Sequence, residues 1–136
     1  MVARWWTCEP RRMAGVVWIA DWELQCCGEP FAVGDVVSWR IRAEPSLHWP
    51  SPRDAEVVGA VAWAYDHHSD EVETPTSVAV RAINAVYQRF EAHNGTLVPL
   101  PGSTVLQPRT RADGREQDDG PLRFIGYTAE VELSPV

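Results

Sequence analysis

The chain contains no lysine: all twelve of its basic residues are arginine. That bias fits a GC-rich coding sequence and carries no mechanism of its own. Against nineteen acidic residues it leaves a formal charge of −7. Phosphate backbones are repelled by such a chain unless its arginines cluster on one face, so nucleic acid is a disfavoured partner. Cysteine is scarce as well. The three that exist, Cys8, Cys26 and Cys27, cannot all pair within one chain, and two are neighbours. A bridge between neighbours is strained, because bridged Cα atoms normally sit further apart than one peptide link. Reduced thiols in a cytoplasmic protein are the expectation. No apolar run approaches the roughly 20 residues of a membrane span, and the opening residues do not read as a secretory leader. A glycine-rich phosphate cradle and internal repeats are also missing.

What remains is enough for one domain. A chain of 136 residues can bury a core without staples. An apolar fraction of 45% with 10% aromatics rules out wholesale disorder. The organising stretch is 16–42, VVWIADWELQCCGEPFAVGDVVSWRIR. In its first half Val16, Trp18, Ala20 and Trp22 share one face, with Val17, Ile19, Asp21 and Glu23 on the other, which is the period of a strand. Cys27-Gly28-Glu29-Pro30 interrupts it, and Gly34-Asp35 forms a turn. A second strand then points Val37, Trp39 and Ile41 inward and Ser38, Arg40 and Arg42 outward.

Around this stretch the chain divides simply. Residues 1–13 read as a flexible N-terminal extension, leaving 14–136 as a single β-rich domain. The prolines of 44–54 predict a surface loop, and 56–68 alternates as a strand with Val57, Val61, Trp63, Tyr65 and His67 on one face and Ala60, Ala62, Ala64 and His68 on the other. Residues 77–90 fit two periods. Ala79, Ile83, Val86, Tyr87 and Phe90 make a helical stripe, closed by Asn94-Gly95, whereas the β-branched content favours a strand. The strand is preferred. Polar, Gly- and Pro-rich residues at 108–121 predict a flexible loop, and 122–133 alternates clearly, with Ile125, Tyr127, Ala129, Val131 and Leu133 on one side. The fold class is mainly β, a small, partly open β-barrel of about six strands. Its alternative is an α+β variant with one helix at 77–92.

Two sets of residues hold possible chemistry. Cys26, Cys27, His67 and His68 offer two thiols and two imidazoles, the donor set of tetrahedral zinc. Adjacent residues on a strand point to opposite faces, so each pair converges on one ion only where the backbone bends. Known zinc sites also space their cysteines further apart. A thiol nucleophile at the same place lacks a helix N-terminus behind it, and Glu23 and Glu29 would raise its pKa. Ser103 lies outside any nucleophile-elbow pattern. Asp66, Asp70, Glu71 and Glu73 do not match a calcium loop.

The second set is aromatic. Trp18, Trp39 and Trp63 are expected in the core, and Trp5, Trp6 and Trp49 on loops, where tryptophan often anchors a contact. Arg40 and Arg42 form an exposed pair that could stack on single-stranded nucleic acid in an OB-like manner, against the net charge.

Trp18, Trp22, Cys26-Cys27-Gly28, Pro30-Phe31, Val33-Gly34-Asp35, Val37 and Trp39 form the pattern W-x3-W-x3-CCG-x-PF-x-VGD-x-V-x-W. By this pattern, and by Asp66-His67-His68, Val98-Pro99-Leu100-Pro101-Gly102-Ser103 and Phe124-Ile125-Gly126-Tyr127, the chain resembles an uncharacterised family of small actinobacterial proteins, a domain of unknown function. The resemblance spans roughly residues 14–133. It implies an intracellular, single-domain bacterial protein and leans 78–90 toward strand, but it brings no activity. The expected function is a non-enzymatic binding or adaptor module without a cofactor, acting through a protein partner or self-association. A zinc or thiol site at Cys26, Cys27, His67 and His68 is the alternative, and single-stranded nucleic-acid binding comes third.

Overall fold

The structure, a computed structural model, describes residues 13–26, 28–43, 47–66 and 74–134. In chain order the elements are β1 (Met13–Ala20), α1 (Asp21–Cys26), β2 (Phe31–Ala32), β3 (Val36–Trp39), β4 (Ile41–Ala43) and α2 (Pro52–Val58). There follow β5 (Trp63–Tyr65), β6 (Thr76–His93), β7 (Thr96–Pro99), β8 (Val105–Arg109), β9 (Arg111–Ala112) and β10 (Leu122–Ser134). The principal path runs β3-β6-β10-β1-β5-β4, a six-stranded sheet curled into an open half-barrel. The mainly β expectation holds, and 76–93 is a strand, not a helix. Among the described residues no helix is long and apolar enough to cross a membrane.

β6 and β10 form the spine. They pair antiparallel from Ser77↔Ser134 to Arg89↔Leu122. β1 lies along the other edge of β10, from Met13↔Leu133 to Ala20↔Gly126, so Met13, assigned to the extension by the sequence, already belongs to the sheet. The edge of β6 that faces away from β10 takes β3 at Thr76–Ala79 and β8 at Ile83–Tyr87. Asn94-Gly95, both at positive φ, make the tight turn from β6 into β7. The pair closes a hairpin rather than a helix.

A different corner curls the sheet. β3 and β4 sit at opposite ends of the six-strand path, yet only Arg40 separates them in sequence. The turn before β3 is fastened by the Asp35 carboxylate, which accepts from the Ala32 N–H at 2.8 Å. Gly34 N–H and Val80 N–H then donate to Val80 O and Asp35 O, both at 2.9 Å. Trp39 and Ile41 are buried, while Ser38, Arg40 and Arg42 are exposed, as the alternation predicts.

Inside the curl lies the core of Val17, Ile19, Trp39, Ile41, Val78, Val80, Ile83, Ala85, Tyr127, Ala129 and Val131. A file of rings crosses it. Tyr65 meets Trp39 at 5.4 Å, Trp39 meets Phe31 at 4.8 Å, and Phe31 meets Tyr127 at 6.4 Å. Phe124 continues the file at 4.9 Å from Tyr127 and 5.9 Å from Tyr87. The contacts are edge-on or tilted, as the ring quadrupoles prefer. On β1 the buried residues are Val17 and Ile19, so Trp18 points away from the core that the sequence assigned it. On β10 the inward phase holds from Tyr127 onward. A bulge between Phe124 and Gly126 turns Phe124 inward in place of Ile125.

Val86 and Gln88 have the opposite parity to Ile83, Ala85 and Tyr87, yet both are buried. The second face of the sheet is therefore covered too, and α2 belongs to its cover. Residues 56–68 are accordingly not one strand: helix occupies Pro52–Val58, and the strand is confined to Trp63–Tyr65. Ser51 caps this helix, accepting from the Asp54 N–H, and proline opens the first turn. The buried Asp54 carboxylate then reaches out of the helix. Its Oδ2 accepts from the Gly102 N–H at 2.7 Å and its Oδ1 from the Thr104 N–H at 3.0 Å. Burial alone would raise its pKa. Hydrogen bonding from Ser51, Thr104 and Gly102 outweighs that and holds the carboxyl well below the usual carboxylate range.

The segment 108–121 is likewise tied to the body. Arg111 and Ala112 pair with β2, Tyr87 Oη donates to the Gln117 carbonyl, and the Phe124 N–H donates to Asp118 Oδ1 at 3.0 Å.

Two outcomes test these fastenings. Asp54→Ala leaves the Gly102 and Thr104 N–H groups without their acceptor, and chemical denaturation is expected to show a loss of about 3 kcal/mol. Because the folded carboxyl is depressed, its contribution is complete above about pH 4 and is lost as pH falls from there toward the folded value. The acid limb of the wild-type stability curve is therefore steeper than that of D54A. Gly126→Ala is expected to cost about 1–3 kcal/mol. A Cβ there would lie 2.5 Å from Ile19 O and 2.7 Å from Trp18 Cη2.

Candidate functional site

Trp18 projects from β1 onto the second face of the sheet and reaches diagonally across to Gly126, where the missing side chain admits the indole. Trp49, on the loop before α2, meets it edge-on at 5.4 Å with an interplanar angle of 88°. Around the pair Leu47, His48, Pro50, Pro99, Ile125 and Gln88 line a groove of about 190 Å³. Each wall has a local cause. Ile125 is turned outward by the β10 bulge, and Pro99 ends the strand that pairs with the far end of β6. Gln88 is buried, and its Nε2 donates to Thr104 Oγ1 at 3.1 Å, which fixes the amide. Thr104 in turn donates its N–H to Asp54. The same hydrogen-bonded chain thus holds the helix, the 102–104 loop and the groove's polar wall.

A second polar cluster stands at the opposite parity of β6. Tyr87 and Tyr127 bury their rings and extend their hydroxyls to the edge of the core. Arg109 donates through Nη2 to Tyr87 Oη at 3.1 Å and pairs through Nε with Glu116. Tyr127 Oη donates to Glu116 Oε2 at 3.0 Å and accepts from the Gly114 N–H at 3.1 Å. Burial, with the Glu116 carboxylate adding to it, pushes the Tyr127 hydroxyl far above the ordinary tyrosine pKa. The Glu116 hydrogen bond chiefly holds the Arg109 guanidinium charged. A phenol so displaced is neither a general acid nor a general base near neutrality. Its geometry fastens residues 113–117 to the sheet.

The residues singled out from sequence fall in several places. Trp5, Trp6, Cys27, His67 and His68 lie outside the described residues, which include only Cys26 of the expected zinc ligands. Cys26 ends α1 and not a strand, because β1 stops at Ala20. It is disulfide-bonded. That corrects the reduced-thiol expectation at this position, and a bridged sulfur is neither a thiolate ligand nor a nucleophile. Among the described residues no three His, Cys, Asp or Glu side chains gather as a metal would require. Arg40 and Arg42 are exposed, and Arg42 Nε pairs with Asp66 at 3.1 Å.

Of the tryptophans expected on loops, Trp49 is half-buried in the groove. Trp39 is in the core, and Trp63 packs against it with its ring over Gly15. Sequence reasoning missed Trp18, Gln88, Pro99 and Ile125 as groove residues. The available signal is parity, since Gln88 shares a face with Val86 in a stretch whose other face is Ile83, Ala85 and Tyr87.

No curated protein and no solved structure matches the chain. One family does, described as a family of unknown function (DUF6578), and it agrees with the likeness to a domain of unknown function expected from the sequence. The match takes in residues 13–133, from the first residue of β1 to the penultimate residue of β10, and the chain belongs to that family.

Proposed function

We propose that this domain is a non-enzymatic binding module, and that it holds a protein partner by an apolar side chain seated in the groove beside the Trp18–Trp49 pair. The observation that carries the reading is the size and lining of the groove. At about 190 Å³ it lies below the range of roughly 300–1,000 Å³ typical of cofactor and small-molecule sites. It has room for one side chain, with Pro50, Pro99, Leu47 and Ile125 offering apolar surface and Gln88 and His48 the polar groups. Aromatic-lined grooves hold extended peptide segments, and a buried aromatic pocket is where interface energy concentrates.

Preorganisation supports the same reading. Trp18 is seated on Gly126, Gln88 is held by Thr104, and the 102–104 loop is held by Asp54. Little ordering is left to oppose association, and ordering is one of the main costs of binding.

With the purified full chain as bait, a specific partner is expected to be retained by wild type and weakened at least about tenfold by Trp49→Ala, the loss of a central aromatic anchor. Thermal unfolding of W49A close to wild type would separate this from misfolding. Equal retention by wild type and W49A would remove the groove as the contact. Size-exclusion chromatography over a range of concentrations distinguishes a second copy of the chain as the partner, since a dimer held through Trp49 dissociates in the variant.

A further inference from the structure

We infer a separate site for a small organic anion, bearing a phosphate or carboxylate group, in the cavity between α1 and the segment that follows β9. This cavity is about 480 Å³, within the size range of small-ligand sites. Leu24, Gln25 and Gly28 line it from α1 and its exit, with Pro30 beside them, and Arg111, Asp113 and Arg115 line the facing wall. Its position and its charge differ from those of the groove at Trp49, and it does not depend on that reading.

The charges carry the inference. Among the described residues neither Arg111 nor Arg115 makes a side-chain hydrogen bond or an ion pair. In a chain of formal charge −7 carboxylates are plentiful, and elsewhere Arg42, Arg81 and Arg109 each have one within 3.1 Å. Among the described residues Arg40, Arg53, Arg89 and Arg123 make no ion pair either, but Arg111 and Arg115 line one cavity together, and that concentrates two uncompensated positive charges at a single place. Asp113 is the carboxylate on the same wall, and its Oδ1 is occupied by the Arg115 N–H at 2.8 Å. The acidic residues of the α1 exit serve another neighbour. Glu23 and Glu29 raise the pKa of Tyr65, after burial, and Glu29 lines a separate cavity with Trp39 and Tyr65 beyond Pro30.

The walls are also preformed. Gly114 approaches α1 so closely that a Cβ would lie 2.8 Å from Leu24 Cβ, and Gln25 Nε2 donates to the Gly114 carbonyl at 3.1 Å. On the other side, a Cβ at Gly28 would lie 2.8 Å from Leu24 Cδ2. The Tyr127 hydroxyl accepts the Gly114 N–H and so fixes the same turn from beneath. β9 and the fixed turn after it thus carry one planar donor fork each, whose geometry suits two-oxygen groups such as carboxylate and phosphate.

The test is an amide-shift titration of the ¹⁵N-labelled full chain with inorganic phosphate and, in parallel, with succinate, each against sodium chloride at matched ionic strength. Saturable shifts at Gly28 and Gly114 and in the Gln25 side chain are expected. Arg111→Gln and Arg115→Gln, measured singly, are each expected to weaken binding about tenfold, as removal of a charged hydrogen-bond donor does. The double variant should abolish it. Saturation by one anion and not the other names the ligand's head group. The inference is overturned if neither anion saturates, if sodium chloride reproduces the shifts, or if binding survives in the double variant. Arg115 lies outside any strand, so R115Q reads the site even if R111Q loosens the β2–β9 pair.

Discussion

The fold depends on the pairing of β6 with β10. Each strand is long enough to serve two jobs at once. Along one edge they pair with each other, and along their outer edges they collect β1, β3 and β8. Their inward residues build the core, with Val78, Val80, Ile83 and Ala85 facing Tyr127, Ala129, Val131 and Leu133 across the same ladder. A one-residue slip would turn every one of these side chains to the wrong face. The two register shifts in the ladder, at Phe124/Gly126 and at Glu130/Val131, are therefore local and compensated. The first sends Phe124 into the ring file and Ile125 to the groove. At the second, Arg81 and Glu132 form an ion pair at 2.9 Å on the exposed side.

Polar side chains do the fastening that a short irregular chain needs at its loops. Asp54 satisfies backbone donors in the 102–104 loop, Asp35 closes the turn before β3, and Glu116 with Arg109 and the tyrosine hydroxyls holds 113–117. Among the described residues no buried side-chain nitrogen or oxygen lacks a partner. Both candidate sites are built on such fastenings. The groove stands on Asp54, Thr104 and Gln88, and the cavity beside α1 stands on Tyr127, Gly114 and Gln25. In each case the binding surface is assembled from segments remote in sequence, and it holds its shape because hydrogen bonds, not packing alone, hold those segments.

How much of this was legible in the sequence varied with the physics of each segment. The alternation in 36–43 and in 129–133 reads directly, because one face is buried and the other meets water. β6 was ambiguous because Val86 and Gln88 are covered on the second face, so no clean polar stripe separates a strand from a helix. The six residues of α1 are too few to show a helical period, and Trp22 and Leu24 continue the rhythm of β1 by coincidence. α2 was within reach. Ser51, Pro52 and Asp54 form a capped helix start, but Pro45, Pro50 and Pro52 together carry the stronger loop signal. Trp18 was assigned to the core by composition, whereas the parity of Val17 and Ile19 turns it to the other face. The groove and the cavity were not legible at all, since neither is contiguous in sequence.

The placement of Arg40 has a mechanical consequence. The chain enters that residue from one margin of the sheet and leaves it along the opposite margin, so 36–43 acts as a clasp that cannot close until both margins exist. The pairing of β3 with β6 and that of β4 with β5 are thereby joined through a single residue, so the two margins are tied covalently as well as by their ladders. One short ribbon thus spans the mouth of the curl that encloses the aromatic file, held by β6 on one side and by β5 on the other.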